Sequence, residues 1–356
     1  MLGLLRSILI LLLLTLIIQS CGSSDTNQND VDSELPTVST GNDLDPNSSG
    51  NGLFEIKSGT VSFLIHATSA TNTKPQFNSL KDPDGNELLT TLGEFAWKSN
   101  GYSNLLVPIS SSYDPKPGIW SYSATNYSQL KLDMRTSDLS ETPTIKVQPY
   151  ISGSDNISSA LNIMKSIFST SGINLDLEDT ETLESKYSQV SYNFNNSTTS
   201  EMVSKGDEDK VNLFFITDYT DAAYLGNAAG IPGSQGLKGS HNGVLINLNA
   251  HKTGGSLNDQ LLGETAAHEM GHFLGLWHPT EGNDFKIYGL DYDPILDTPE
   301  CPESKNINND IDLTANECGK EYGADNLMFW NPWSYGNQDN LTEGQVYVLK
   351  RALIAK

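Results

Sequence analysis

Runs of apolar and polar residues divide the chain into stretches that fold under different rules. Ile8 to Ile18 is an apolar stretch behind Arg6, and residues 22 to 52 are dominated by Ser, Asn, Asp, Gly and Thr with almost no large apolar side chains. The first is too short and too early for a convincing membrane-spanning helix and reads as an export signal over residues 1–20. The second cannot bury enough surface to fold and reads as a flexible tether over residues 21–52. Residues 53–142 then show short strand-like runs, Gly59 to His66, Asn104 to Ile109, Gly118 to Ser123 and Gln129 to Arg135. Turn clusters such as Asp82-Pro83-Asp84-Gly85 and Asp114-Pro115-Lys116-Pro117-Gly118 separate them. Alternation with regular turns and no helical period predicts a small all-β sandwich, acting as a spacer or binding module.

From residue 143 to 356 the pattern mixes both periods, which predicts an α+β domain with a twisted mixed sheet. Thr144 to Tyr150 reads as its opening strand, and Ser158 to Ser169 as a helix with Ala160, Leu161, Met164, Ile167 and Phe168 on one side. Val211 to Thr217 is a continuous apolar run, hence a central strand, and Gly243 to Leu248 reads as the strand at the edge of a cleft. Leu261, Leu262, Thr265, Ala266, Phe273 and Leu276 give a second helix an apolar side. Thr342 with Gln345 three residues later is a capping box, opening a final helix through Leu353.

Candidate chemistry concentrates in one run, His268-Glu269-Met270-Gly271-His272-Phe273-Leu274-Gly275-Leu276-Trp277-His278. His268 and His272 stand four apart, so on a helix both imidazoles leave the same face one turn apart and can reach one metal ion. Glu269 projects beside that point, where a carboxylate can take a proton from water. On an unbroken helix His278 would face elsewhere, but Gly275 tolerates the left-handed conformation that ends helices, so the chain can swing back. Three protein ligands leave one position open, the arrangement of catalytic rather than structural zinc.

This run resembles the extended motif of the metzincin clan of zinc metallopeptidases. Met328, in Asn326-Leu327-Met328-Phe329-Trp330, stands where that clan has a methionine turn under the metal, an apolar floor rather than a ligand. Three further segments are similar to the pappalysin or cytophagalysin branch, the ulilysin-like one. Ala228-Ala229-Gly230-Ile231-Pro232-Gly233-Ser234 followed by Asn242 to Asn247 resembles its proline-glycine loop and edge strand; Leu296-Asp297-Thr298-Pro299 resembles its Asp-Thr-Pro segment; Leu341 to Val346 resembles the start of its last helix. The resemblance covers residues from about 145 to the C-terminus, with gaps. It implies a zinc-dependent endopeptidase of extracellular proteins or peptides, with His268, His272 and His278 on zinc and Glu269 as general base. The chain departs from the branch at Trp330, where a tyrosine is usual. An indole donates one hydrogen bond but is neither a phenol acid nor a metal ligand, so either that role is filled from elsewhere, Tyr335 being one candidate, or activity is lower than in relatives. The departure keeps open a second reading, a surface adhesin or binding protein whose zinc domain is catalytically silent.

Ile18-Gln19-Ser20-Cys21 resembles the lipobox of bacterial lipoproteins. The resemblance implies that Cys21 is acylated and anchors the exported protein to the bacterial outer membrane or cell surface; the other reading is an ordinary signal peptide with a chance cysteine. An oxidising compartment then leaves Cys301 and Cys318 to pair as a disulfide. With 21 basic against 44 acidic residues the net charge is −23, which disfavours nucleic acid as a partner. Part of this acidity, Asp291, Asp293 and Asp297 with Glu300 and Glu303, reads either as calcium ligands fixing a loop or as a solvated acidic face. His66 reads as a strand residue, and His241 and His251, flanking the expected edge strand, read as surface loop positions or as borders of the substrate path, since a three-histidine site needs no fourth ligand.

Overall fold

The computed structural model describes residues 38, 39, 41–92, 96–137, 139, 141–282, 292–308 and 312–356. The export signal, Cys21 and Asp291 lie outside the described residues. Among those described, no helix is long and apolar enough to cross a membrane.

Among the described residues, eight strands precede residue 142: β1 (Val38–Ser39), β2 (Asn51–Ile56), β3 (Thr60–Thr68), β4 (Gln76–Lys81), β5 (Trp97–Ser99), β6 (Tyr102–Val107), β7 (Gly118–Thr125) and β8 (Gln129–Thr136). They form two four-stranded sheets, ordered β1-β2-β7-β4 and β5-β6-β3-β8. Alternate residues of both sheets meet in aromatic contacts. Phe54 of β2 stands edge-on to Phe63 of β3 at 5.7 Å between ring centroids, and Trp120 of β7 lies 5.0 Å from Phe63. The order begins ahead of residue 53, inside the stretch read as a tether. Val38 and Ser39 pair in parallel with Leu53 and Phe54, and Leu44 is buried. Composition conceals this because one leucine and a few backbone pairings are enough to dock a polar segment.

The second half is built on a sheet ordered β10-β9-β13-β16-β15, from β9 (Thr144–Ile151), β10 (Asn174–Leu177), β13 (Val211–Ile216), β15 (Gly226–Ala228) and β16 (Val244–Asn247). Short β11 (Glu181–Thr182) joins β9, while β12 (Gln189–Val190) and β14 (Asp218–Tyr219) pair separately. The pairings β10–β9, β9–β13 and β13–β16 are parallel, and β15 runs antiparallel to β16. Every residue of β13 is buried, as expected for a strand covered on both faces. One face carries the helices Ser158–Thr170 and Asp259–Leu274, which pack on each other; the other is covered by Tyr187, Phe194 and Met202 over Phe214 and Leu245.

The structure corrects the position of the edge strand. Gly243 to Leu248 was expected at the edge, yet β16 is paired on both sides and has no free backbone row to offer. The edge belongs to β15, three residues of Gly, Asn and Ala without any periodic signal. The final helix is also shorter than its pattern, Glu343–Leu349. The Arg135 guanidinium takes the carbonyls of Lys350 and Ala352, and Lys356 N–H donates to Thr144 O at 3.0 Å, which draws the chain out of the helix and onto β9.

One apolar core runs through both halves, from Leu105 and Leu106 of β6 through Val147, Met164 and Phe273 to Val348. Cys301 and Cys318 are disulfide-bonded and form a small separate cluster with Leu313, Ala324 and Phe329.

Candidate metal centre

The helix Asp259–Leu274 begins at Asn258, whose side chain accepts the Leu261 N–H, and ends at Gly275 with φ 115°. There the N–H groups of Gly275 and Leu276 return to the carbonyls of His272 and Gly271. This left-handed exit reverses the chain, and Leu276-Trp277-His278 brings the third histidine to the other two. His272 Nε2 lies 2.9 Å from His278 Nε2, which lies 3.2 Å from His268 Nε2.

The opposite nitrogen of each ring is fixed. His268 Nδ1 donates to Leu327 O, His272 Nδ1 to Leu276 O and His278 Nδ1 to Glu281 Oε2, each at 2.7 Å. With every Nδ1 committed as a donor, the three Nε2 atoms of neutral rings turn lone pairs toward one point. Burial keeps the His268 and His272 rings neutral, pushing His268 down to about 3 and His272 well below its usual value. Three converging lone pairs repel each other unless a cation lies between them. Ligands about 2.0–2.1 Å from zinc in a tetrahedron stand roughly 3.3 Å apart, close to the spacing seen here. The donor set therefore fits zinc, and among the described residues it is the one group of three or more such side chains gathered around a point.

The supports come from elements distant in sequence. Leu327 O belongs to the turn that carries Met328, and that turn is tied by a reciprocal amide pair: Asn326 Nδ2 donates to Gln345 Oε1 at 2.9 Å and Gln345 Nε2 to Asn326 Oδ1 at 3.0 Å. Met328 is fully buried under the helix, and a Cβ on Gly271 would stand 2.5 Å from its sulfur. His251, expected on a surface loop, is instead buried. It bridges Asn247 O and the Thr265 hydroxyl, joining β16 to the histidine helix. His241 is half-buried against the Tyr102 ring.

Glu269 is buried beside the three rings, against β15. A Cβ on Gly226 would meet its Cγ at 2.5 Å, so only glycine lets the edge strand pass. Burial pushes its carboxyl up to about 8, whereas a dication in front of it would act in the opposite direction. The open side of the site is a cleft of about 770 Å³. Trp330 lines it, but its indole N–H donates to Leu313 O at 2.7 Å, which uses its single donor. Tyr335 does not take the vacant tyrosine role: it is 77% exposed and lies outside the cleft lining.

The acidic cluster divides among structural tasks. Asp297 accepts from the Thr342 hydroxyl and Gly344 N–H, capping the last helix, and Asp293 accepts from Ile295 N–H and the Thr298 hydroxyl. Among the described residues these two do not meet a third ligand around a point, so the expected calcium cage is not formed by them. Glu281, the Asn326–Gln345 pair and Gly226 went unnoticed in the sequence; Glu281 alone carried a local signal, an acidic residue three after a ligand histidine.

Residues 154–279 match the sequence profile described as Metallo-peptidase family M12B Reprolysin-like. An extracellular metalloprotease of Colletotrichum graminicola is 38% identical over 97 residues, which are 27% of this chain and 32% of that protein. Another, from Arthroderma benhamiae, is 27% identical over 157 residues, covering 38% of this chain and 52% of the relative. The chain thus spans about a third to a half of the length of the curated relatives it matches. Mature mirolysin of Tannerella forsythia, solved with a cleaved peptide, aligns with 58% of this chain and 90% of its own at 19% identity and a TM-score of 0.38. The stretch that is similar to the reprolysin-like metallopeptidases is the one that contains all three converging histidines and Glu269.

Proposed function

We propose that the protein is a zinc-dependent endopeptidase of extracellular proteins or peptides, related to the pappalysin branch of the metzincins. The observation that carries this reading is the convergence of His268, His272 and His278 through Nε2, each Nδ1 held, with Glu269 buried alongside. Zinc held by His268, His272 and His278 would supply Lewis acidity at this point. Glu269 takes a proton from the attacking water as the scissile carbonyl is hydrolysed and delivers it to the leaving amine. Met328 keeps the underside apolar and holds the turn whose Leu327 carbonyl orients His268. β15 is the edge strand of the sheet beside the site, and an extended peptide docks along it by main-chain hydrogen bonds. The relatives named extracellular metalloproteases support export. In this reading Cys21 is the lipid anchor, residues 143–356 are the peptidase part, and the sandwich ahead of it, expected over 53–142, begins upstream with β1.

The test is cleavage of a mixed peptide library, with zinc content measured on the same sample. The expected result is cleavage that disappears in Glu269→Ala while zinc stays stoichiometric. Bound zinc without cleavage would favour the silent-domain reading. Labelling with a fatty-acid analogue, lost in Cys21→Ala, tests the anchor.

A further inference from the structure

The cleft is not enclosed by the peptidase half alone. Ser99, Asn100 and Tyr102, from the β5–β6 hairpin of the N-terminal sheets, line it beside Tyr192 to Asn195. The hairpin is fastened in place. The Tyr102 hydroxyl donates to Ala229 O at 2.6 Å, one residue beyond the end of β15, and its ring packs 3.6 Å from that of His241. Asn195 Nδ2 donates to Asn100 O at 3.0 Å. Behind the tip, Asn104 Nδ2 donates to Pro232 O at 2.9 Å, and buried His66 holds the Asn104 side chain through Nδ1 at 2.7 Å. The loop they grip continues to Gly233, whose N–H donates to Phe273 O of the histidine helix at 3.0 Å.

We propose that this hairpin is a substrate-specificity wall, so that the N-terminal sheets help select the peptide rather than merely space the enzyme from a surface. The inference rests on the endopeptidase reading. β15 passes Glu269 at Gly226 and heads through Ala228 toward the contact between Ala229 and Tyr102. A peptide added to this edge in the more stable antiparallel sense runs the other way, so its residues upstream of the scissile bond pass the hairpin tip. At about 3.3 Å per residue the tip serves positions a few residues from the cut. Its neighbours there, Ser99, Asn100, Asn193 and Asn195, are uncharged, so the wall accepts polar side chains of either sign.

Charge placed at the tip makes this testable without relying on loss of activity. Asn100 is exposed and its known contact uses the backbone carbonyl, which a substitution retains. The full-length protein and its Asn100→Lys and Asn100→Glu variants are profiled on one peptide library at low and at high salt, with zinc content as a folding check. Asn100→Lys should raise cleavage of peptides acidic at upstream positions over basic ones by about two- to fivefold, Asn100→Glu should do the reverse, and high salt should erase both. A misfolded variant lowers all peptides together and leaves the ratio unmoved, so opposite shifts arise only from contact with substrate. Unchanged ratios, or changes confined to downstream positions, overturn the wall while leaving the endopeptidase intact. No cleavage by the parent protein overturns both readings.

Discussion

At the scale of single residues, each histidine of the proposed zinc site has a partner that sets which nitrogen faces the common point, and for His278 that partner is a carboxylate, Glu281. It is buried, 2.7 Å from His278 Nδ1. Removing it in Glu281→Ala should weaken zinc binding by about 10- to 100-fold, measured by competition with a chromogenic chelator, with Glu281→Gln falling between. An unchanged affinity would mean that the ring is oriented by other contacts. Gly226→Ala should instead keep zinc and lose turnover, because its methyl group would displace Glu269. The histidines were legible because ligand spacing along one helix is a local property of the sequence. Gly226 was not, since its role comes from a strand crossing a helix more than forty residues away.

At the scale of elements, the turn after the histidine helix is the narrowest point of the design. Gly275 has φ 115°, and a Cβ there would stand 2.6 Å from Leu106 Cδ2. Gly275→Ala should cost more than about 1 kcal/mol of stability and lower zinc content by displacing His278. Asp293 gives the lower loop a pH dependence. Burial pushes its carboxyl up to about 7, against hydrogen bonds from Thr298 and Ile295, so the fold favours the neutral acid. That contribution is complete below about pH 4, the unfolded value, and is lost as pH rises through about 7. Asp293→Asn cannot ionise, so its melting temperature relative to the parent should climb over that interval; a constant difference would refute this. Strong periodicity made the helices and the apolar strand β13 readable. β15 has three residues and no pattern, so the edge was assigned to the neighbouring, more hydrophobic β16.

At the scale of the whole molecule, composition marks a change near residue 142, but the core does not stop there. Leu105 and Leu106 belong to the same apolar cluster as Phe273 and Val348, and Ser62 and Arg135 bond to carbonyls beyond the final helix. A fragment of residues 143–356 should therefore fail to reach the zinc-binding state, seen as low solubility and loss of sharp thermal unfolding. Folding of that fragment with stoichiometric zinc would show that the halves are independent. Sequence alone reads Leu105 and Leu106 as ordinary strand core, because alternation says that a side chain points inward but not across which interface.

The central claim is that the three histidines hold zinc for peptide hydrolysis with Glu269 as the base. The most direct measurement is peptide cleavage and zinc content on the parent protein and Glu269→Ala, side by side. The account predicts one zinc per chain in both and cleavage in the parent alone. Equal cleavage by the two, or a parent that binds zinc and cuts no peptide, would contradict it.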